Sequence, residues 1–291
     1  MQKRFGLISM ILLLLFGLAE GQEKETSGLE DFQGVTIDFG SGLYKTKLRD
    51  ELYSPLIYQG FSPVFPQNEI RLRSQKFQFF SETELGYGMS LSGIKSDWMP
   101  SPGLQLPFYT DFGILYKTKY WNAQNRYLWL GLNIHFNGNF ITQSKLGNSS
   151  FDYYTSLGSG LIGRLELPFG WKAKDYHIFK KITIHRRQRK LLFAWQIEYP
   201  LAGVIVRPSF DGIFYPLFAN PDKSLILDDE NIDFYFLKAV YVRSHLELSY
   251  LLYNRNRLKL SYNWNYFHYS KYEIPVTSIN YGFLFSYVFA F

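Results

Sequence analysis

The sequence predicts an all-β fold: an antiparallel transmembrane β-barrel of about ten strands, with eight to twelve in range. Three observations lead there. A period-2 aromatic run occupies the last residues, apolar–polar alternation recurs in segments about ten residues long, and the connectors alternate in length. The chain of 291 residues carries 27 Phe, 23 Tyr and 6 Trp, 19% of its residues. Aromatic girdles at two bilayer interfaces call for such a content. The mean hydropathy of −0.15 agrees, because only alternate residues of a barrel strand face lipid.

The N-terminus comes first. Lys3 and Arg4 precede an apolar stretch ending at Leu18, and Ala19, Glu20 and Gly21 follow. Residues 1–21 read as a signal peptide cleaved near Gly21, because the apolar core is shorter than the roughly 20 residues of a spanning helix. Gln22 then opens a short polar stretch, 22–32, and 33–291 is the barrel. Nothing after Gln22 is apolar for long enough to span as a helix, so secretion to a Gram-negative outer membrane is expected. Without cysteine the chain has no lipid attachment point, disulfide or thiolate metal site.

The final strand is the sharpest. Tyr281, Phe283, Phe285, Tyr287, Phe289 and Phe291 fall on every second position, with Gly282, Leu284, Ser286, Val288 and Ala290 between them. Such a face is an aggregation hazard in water and an ordinary surface in lipid. Phe289 and Phe291 are read as the signal recognised by barrel-assembly machinery. Elsewhere Leu128, Leu130, Leu132, Ile134 and Phe136 oppose Trp129, Gly131, Asn133, His135 and Asn137. The same contrast sets Leu191, Phe193, Trp195, Ile197 and Tyr199 against Leu192, Ala194, Gln196 and Glu198. It also sets Val240, Val242, Leu246, Leu248 and Tyr250 against Tyr241, Arg243, His245, Glu247 and Ser249. In the next segment Leu258, Leu260, Tyr262, Trp264 and Tyr266 oppose Lys259, Ser261, Asn263 and Asn265. Weaker alternation marks 35–39, 56–58, 77–89, 112–120 and 157–167. Gly86, Gly88, Gly93, Gly158, Gly160 and Gly163, in or beside strands, suit bends and bulges of a curved sheet.

Short, turn-like connectors are expected on the periplasmic side at 253–256, 121–126 and 65–70 (with Pro66 and Asn68). Outer loops are expected at 94–107, 143–150, 207–236 and 270–277. One connector, 170–190, is long where a short inner turn belongs. Between Lys172 and Lys190 it holds eight Lys or Arg, among them Lys180, Lys181, Arg186, Arg187, Arg189 and Lys190, against Asp175 alone. Taking away those eight positive charges and one negative lowers the net charge from +6 to −1, so the excess basicity is local. A charge block of this kind suits lipopolysaccharide phosphates if it lies outside, or an acidic envelope protein if it lies in the periplasm. A solvated turn, with an extra hairpin over 176–184, is the plainer alternative. Secretion speaks against nucleic acid.

Leu52-Tyr53-Ser54-Pro55-Leu56, Glu198-Tyr199-Pro200-Leu201-Ala202-Gly203 and Leu258-Lys259-Leu260-Ser261-Tyr262-Asn263-Trp264, with the aromatic last strand, resemble a group of outer-membrane β-barrel proteins of the Bacteroidota. The resemblance spans most of the mature chain and implies a fold and a location, with no activity attached.

The inward positions carry the residues capable of chemistry. Some outer-membrane barrels are lipid hydrolases with a His-x-Ser-Asn arrangement. Here His135-Phe136-Asn137-Gly138-Asn139 puts Asn137 where the nucleophile would stand, and an amide cannot replace a hydroxyl activated by His. Arg243, His245 and Glu247, with Gln196, Glu198, His135 and Lys259, are read as a polar network filling the lumen. His177 and His185 lack a carboxylate at ligand spacing, so no metal or cofactor is expected. The expected role is a non-enzymatic structural or accessory component of the outer membrane acting through its loops. A narrow channel for ions or small solutes is the alternative, and a lipid-modifying enzyme a remoter one.

Overall fold

The computed structural model describes residues 32–51, 54–92, 102–118, 126–143, 151–171, 174–178, 182–186, 189–207, 232–237, 240–271 and 274–291. The expected signal peptide and most of the 22–32 stretch lie outside the described residues. Fourteen strands follow in order. They are β1 (Gly34–Asp50), β2 (Ser54–Arg73), β3 (Phe77–Gly86), β4 (Gly88–Ser92), β5 (Pro102–Lys117), β6 (Tyr127–Gln143) and β7 (Phe151–Trp171). Then come β8 (Lys174–Ile178), β9 (Ile182–Arg186), β10 (Arg189–Val206), β11 (Ile232–Phe236), β12 (Val240–Leu251), β13 (Arg257–Lys271) and β14 (Ile274–Ala290).

Twelve of them form one antiparallel sheet that closes on itself. β1 pairs with β2 on one side and with β14 on the other, the latter from Thr36↔Ala290 to Asp50↔Val276. β3 and β4 both lie between β2 and β5 and share one place, interrupted at Tyr87. β11 and β12 likewise share the place beside β10. The result is a ten-strand barrel. Long strands such as β1 (17 residues), β7 (21) and β10 (18) exceed the roughly 9–11 residues that cross a bilayer at a tilt, so the wall extends past the hydrocarbon.

Alternation sorts the side chains as the sequence predicts. On β6, Leu130, Leu132 and Ile134 are 52%, 56% and 57% exposed on the outside, while Trp129, Asn133 and His135 are buried within. On β14, Phe283 and Phe285 face out and Leu284 and Ser286 face in. Such an exposed apolar surface is stable against hydrocarbon, not against water.

The connectors divide between two rims. The terminal rim, where Gly34 and Phe291 lie, carries 74–76, 118–126, 172–188 and 252–256. The distal rim carries 51–53, 93–101, 144–150, 207–231 and 272–273. Four sequence expectations are corrected here. The loops expected at 94–107 and 207–236 shorten to 93–101 and 207–231, because β5 begins at Pro102 and β11 occupies Ile232–Phe236. The turn expected at 65–70 is the interior of β2, whose ladder shifts register between Val64 and Gln67. A bulge at that point takes in Pro66, which has no N–H to give the ladder. The turn itself lies at 74–76, where Ser74 Oγ accepts from Phe77 N at 3.0 Å. The loop expected at 270–277 shrinks to 272–273, since β13 and β14 run through the rest.

The region before Phe77, weakly patterned in sequence, is two of the longer strands. Its contrast is blurred because Ser41, Lys45 and Lys47 point outward on β1 while Gly40 and Gly42 line the inside. Within 172–188, β8 and β9 form a separate hairpin with Tyr176↔Ile184 as register partners, as the extra-hairpin alternative supposed.

An arginine placed at Leu132, in the middle of the β6 outer face, should cost about 2–4 kcal/mol. Urea unfolding of the barrel from lipid vesicles measures it.

Candidate functional site

The barrel interior is filled from rim to rim in three layers. Nearest the terminal rim, Phe32, Phe80, Leu115, Trp129, Ile162 and Leu192 pack into one apolar cluster. Phe32, the last residue of the stretch read as polar, is 3% exposed and closes this end. Cations edge the layer: the Arg73 guanidinium lies 5.4 Å from the Trp129 ring centre and Arg257 lies 5.6 Å from that of Phe32. Trp129 Nε1 donates to Glu166 at 2.8 Å, and Arg73 pairs with the same carboxylate.

The middle layer is ionic. Arg243 on β12 donates twice to Glu82 at 2.8 Å and once to Glu84 at 2.8 Å, and approaches Glu198 at 3.5 Å. β12 and β3 stand on opposite walls, so this side chain spans the lumen. Its guanidinium also lies 3.9 Å from the centre of the Tyr109 ring, whose hydroxyl donates to Glu198 at 2.7 Å. Arg164 takes Glu247 in a two-pronged pair at 2.8 and 2.7 Å, with Glu166 at 2.8 Å and Gln196 at 3.2 Å. Lys259 joins Asp38 and Glu69, the second at 2.7 Å, and Arg71 Nε donates to Glu69 at 2.6 Å. Burying this many charges is tolerable because Arg243, Arg164, Lys259 and Arg71 are each paired with carboxylates, most of them with further hydrogen bonds. Tyr44, for instance, donates to Glu84 at 2.6 Å and itself accepts from Asn263 at 2.6 Å.

Toward the distal rim the lining turns aromatic. Tyr58, Tyr109, Tyr154, Tyr235, Tyr241, Phe267 and Tyr269 cluster with Leu48, Ile141, Ile205 and Val276. Tyr154 and Phe267 stack at 4.7 Å with rings 2° apart. Gly158 and Gly203 make the seat for Tyr235, since a Cβ on either would meet the Tyr235 hydroxyl at 2.4 or 2.6 Å. Above this layer Arg207 pairs with Asp50 across the mouth. Two small cavities lie among the described residues. One of about 30 Å³ adjoins Glu84, Asn137, Asn265 and Asn280, and one of about 20 Å³ adjoins Phe32, Arg71 and Lys259. Each has room for about one or two waters.

The structure places Arg243, Glu247, Gln196, Glu198 and Lys259 in the ionic layer. The histidines behave differently. His135 belongs to the aromatic layer, stacked 5.1 Å from Tyr241. His245 stands 3.6 Å from Glu247 and 3.9 Å from Glu82, beyond hydrogen-bond reach. Sequence reasoning missed Asp38, Glu69, Arg71, Glu82, Glu84, Arg164 and Glu166. A signal existed: Glu69-x-Arg71-x-Arg73, Glu82-x-Glu84 and Arg164-x-Glu166 each place charges two apart, on one face of a strand. Of the basic segment, Arg186 ends β9 and Arg189 and Lys190 begin β10, all at the terminal rim. Lys180, Lys181 and Arg187 lie outside the described residues. Phe289 faces outward, its ring 6.1 Å from Phe39 across the closing ladder, and Phe291 N–H donates to Val35 O at 2.9 Å. Among the described residues no set of three or more His, Asp or Glu is arranged to hold a metal ion.

The sequence matches no protein-family model and no curated protein. Among solved structures it is similar to the outer membrane protease OmpT from Escherichia coli, with 10% identity, 93% of this chain, 99% of that one and a TM-score of 0.41. It is also similar to the transport unit of the autotransporter AIDA-I from Escherichia coli, with 8% identity, 92% and 93% coverage and a TM-score of 0.40. The toluene transporter TodX of P. putida follows at 9% identity, 90% and 91% coverage and a TM-score of 0.34.

Removing the arginine that spans the lumen while keeping its partners should be severe. Arg243→Met leaves Glu82 and Glu84 buried without their cation and should cost about 3–5 kcal/mol in urea unfolding. Adding Glu82→Gln and Glu84→Gln should recover most of that loss, because the stranded charges are gone.

Proposed function

We propose that this chain is a Gram-negative outer-membrane barrel that works as a closed, non-enzymatic scaffold, presenting its two rims to other envelope components. The filled lumen carries this reading: apolar and aromatic layers enclose a cross-braced ionic layer, and the described cavities are water-sized. Open aqueous channels call for much wider barrels, of about 16–18 strands. The polar interior and apolar exterior support placement in an outer membrane, where barrels are the spanning form. Against hydrolysis stands His135, enclosed within the barrel and stacked on Tyr241 with Asn137 two residues on.

The rims give the scaffold its direction. The longest connector, 207–231, is distal, and the short ones at 74–76 and 252–256 are terminal. That asymmetry supports a periplasmic terminal rim. The basic connector then faces the periplasm, where an acidic envelope protein suits it better than lipopolysaccharide does. A narrow path for ions or small solutes is a second reading, favoured by the amide-lined distal cavity with Asn137 Nδ2, Asn265 Oδ1 and Asn280 Oδ1 unpaired.

Conductance of the refolded barrel in a planar bilayer, with neutral polymers to size any pore, separates the two. Silence from a demonstrably folded barrel is the expected result. Steady, polymer-limited conductance would sink the scaffold reading and bring the channel forward. Reversing Arg186, Arg187 and Arg189 to Glu should abolish cross-linking from the basic connector to its envelope partner while the barrel still folds. Unchanged cross-linking would remove that connector from the function.

A further inference from the structure

The apolar outer face carries a row of neutral polar side chains. Asn68 on β2, Thr83 on β3 and Thr110 on β5 are successive register partners. Each stands between buried, inward-facing neighbours on its own strand: Gln67 and Glu69, Glu82 and Glu84, Tyr109 and Asp111. All three therefore point outward. The row lies inside the apolar belt. Along β2 it is flanked by exposed Ile70 on one side and Phe65 on the other, and it ends sideways at exposed Phe39 and Phe136. The Thr83 and Thr110 hydroxyls are 3.5 Å apart and bond each other. No described residue gives the Asn68 amide a partner. The outward Ser244 is different, for it accepts from Trp195 Nε1 at 3.0 Å.

A carboxamide facing acyl chains has two N–H donors and a carbonyl acceptor with nothing to bond, which is costly in hydrocarbon. We propose that this row is the surface through which two copies of the chain pair in the membrane about a twofold axis. A primary amide is complementary to itself, so two Asn68 side chains set face to face exchange N–H···O bonds in both directions. A twofold axis is the arrangement that sets a residue opposite its own copy. The Thr83 and Thr110 hydroxyls, which both donate and accept, extend the match. No charge in the row opposes self-pairing, and Phe39, Phe65 and Phe136 supply packing around it. Hydrogen bonds between such groups favour association of membrane segments, because lipid offers no substitute.

The absence of cysteine makes the test direct, since one introduced thiol reports alone. Thr83→Cys, next to the axis, is treated in membranes with a short bis-maleimide. Leu248→Cys, lipid-facing on the opposite wall, is the control. Thr83→Cys should give a product of twice the chain mass and Leu248→Cys should not, with both barrels migrating as folded in unheated gels. Adding Asn68→Leu to Thr83→Cys should abolish the product while the barrel stays folded. Cross-linking no greater than the control, persistence in the Asn68→Leu background, or a product of another mass would overturn the proposal.

Discussion

In hydrocarbon an unpaired backbone N–H or C=O has nothing to bond, so a sheet crosses a membrane only when its first and last strands pair. Here that closure is the β1–β14 ladder, running from Thr36↔Ala290 to Asp50↔Val276. Everything else follows from it. Closure gives each strand an inside and an outside, and the alternation of side chains then has two different solvents to answer to. It also brings together residues at opposite ends of the chain, so that Lys259 on β13 meets Asp38 on β1.

A ten-strand lumen is wide enough to need filling and too narrow to hold bulk water. This chain fills it with charge in the middle and rings at the ends. The arrangement has a physical logic. Each buried ion needs counter-charge and hydrogen bonds, and side chains on non-adjacent strands reach one another only if long. Arg243 crosses to Glu82 on the opposite wall, while Arg164 and Lys259 reach Glu247 and Glu69 two and three strands away. The apolar layers above and below limit the water around these pairs to small cavities, which strengthens them. A rigid, braced cylinder of this kind directs attention to its rims and outer wall.

The lipid-facing wall was legible in the sequence wherever outward residues are uniformly apolar, as on β6, β10, β12, β13 and β14. It was not legible on β1 and β2, where Ser41, Lys45, Lys47, Gly40 and Gly42 remove the contrast. Pro66 and Asn68 read locally as a turn because both favour turns. The ladders on either side override that preference by taking the extra residues as a bulge. Four charges of the ionic layer, Arg243, Glu247, Glu198 and Lys259, were visible as inward residues on β12, β10 and β13. The other seven, on β1, β2, β3 and β7, sat in segments whose alternation was too weak to assign a face.

By itself the sequence determined the barrel class, the strand period and, on β6, β10, β12, β13 and β14, which side chains face inward, because these depend on a two-residue geometry that each strand carries locally. The tertiary structure decided which inward residues meet. Arg243 and Glu82 are 161 positions apart, and their contact depends on the stagger with which ten strands close. No local pattern encodes that stagger. It is the sum of every ladder's register, including the bulges at Val64–Gln67 and Pro200–Ala202, and it becomes definite only when the last strand pairs with the first.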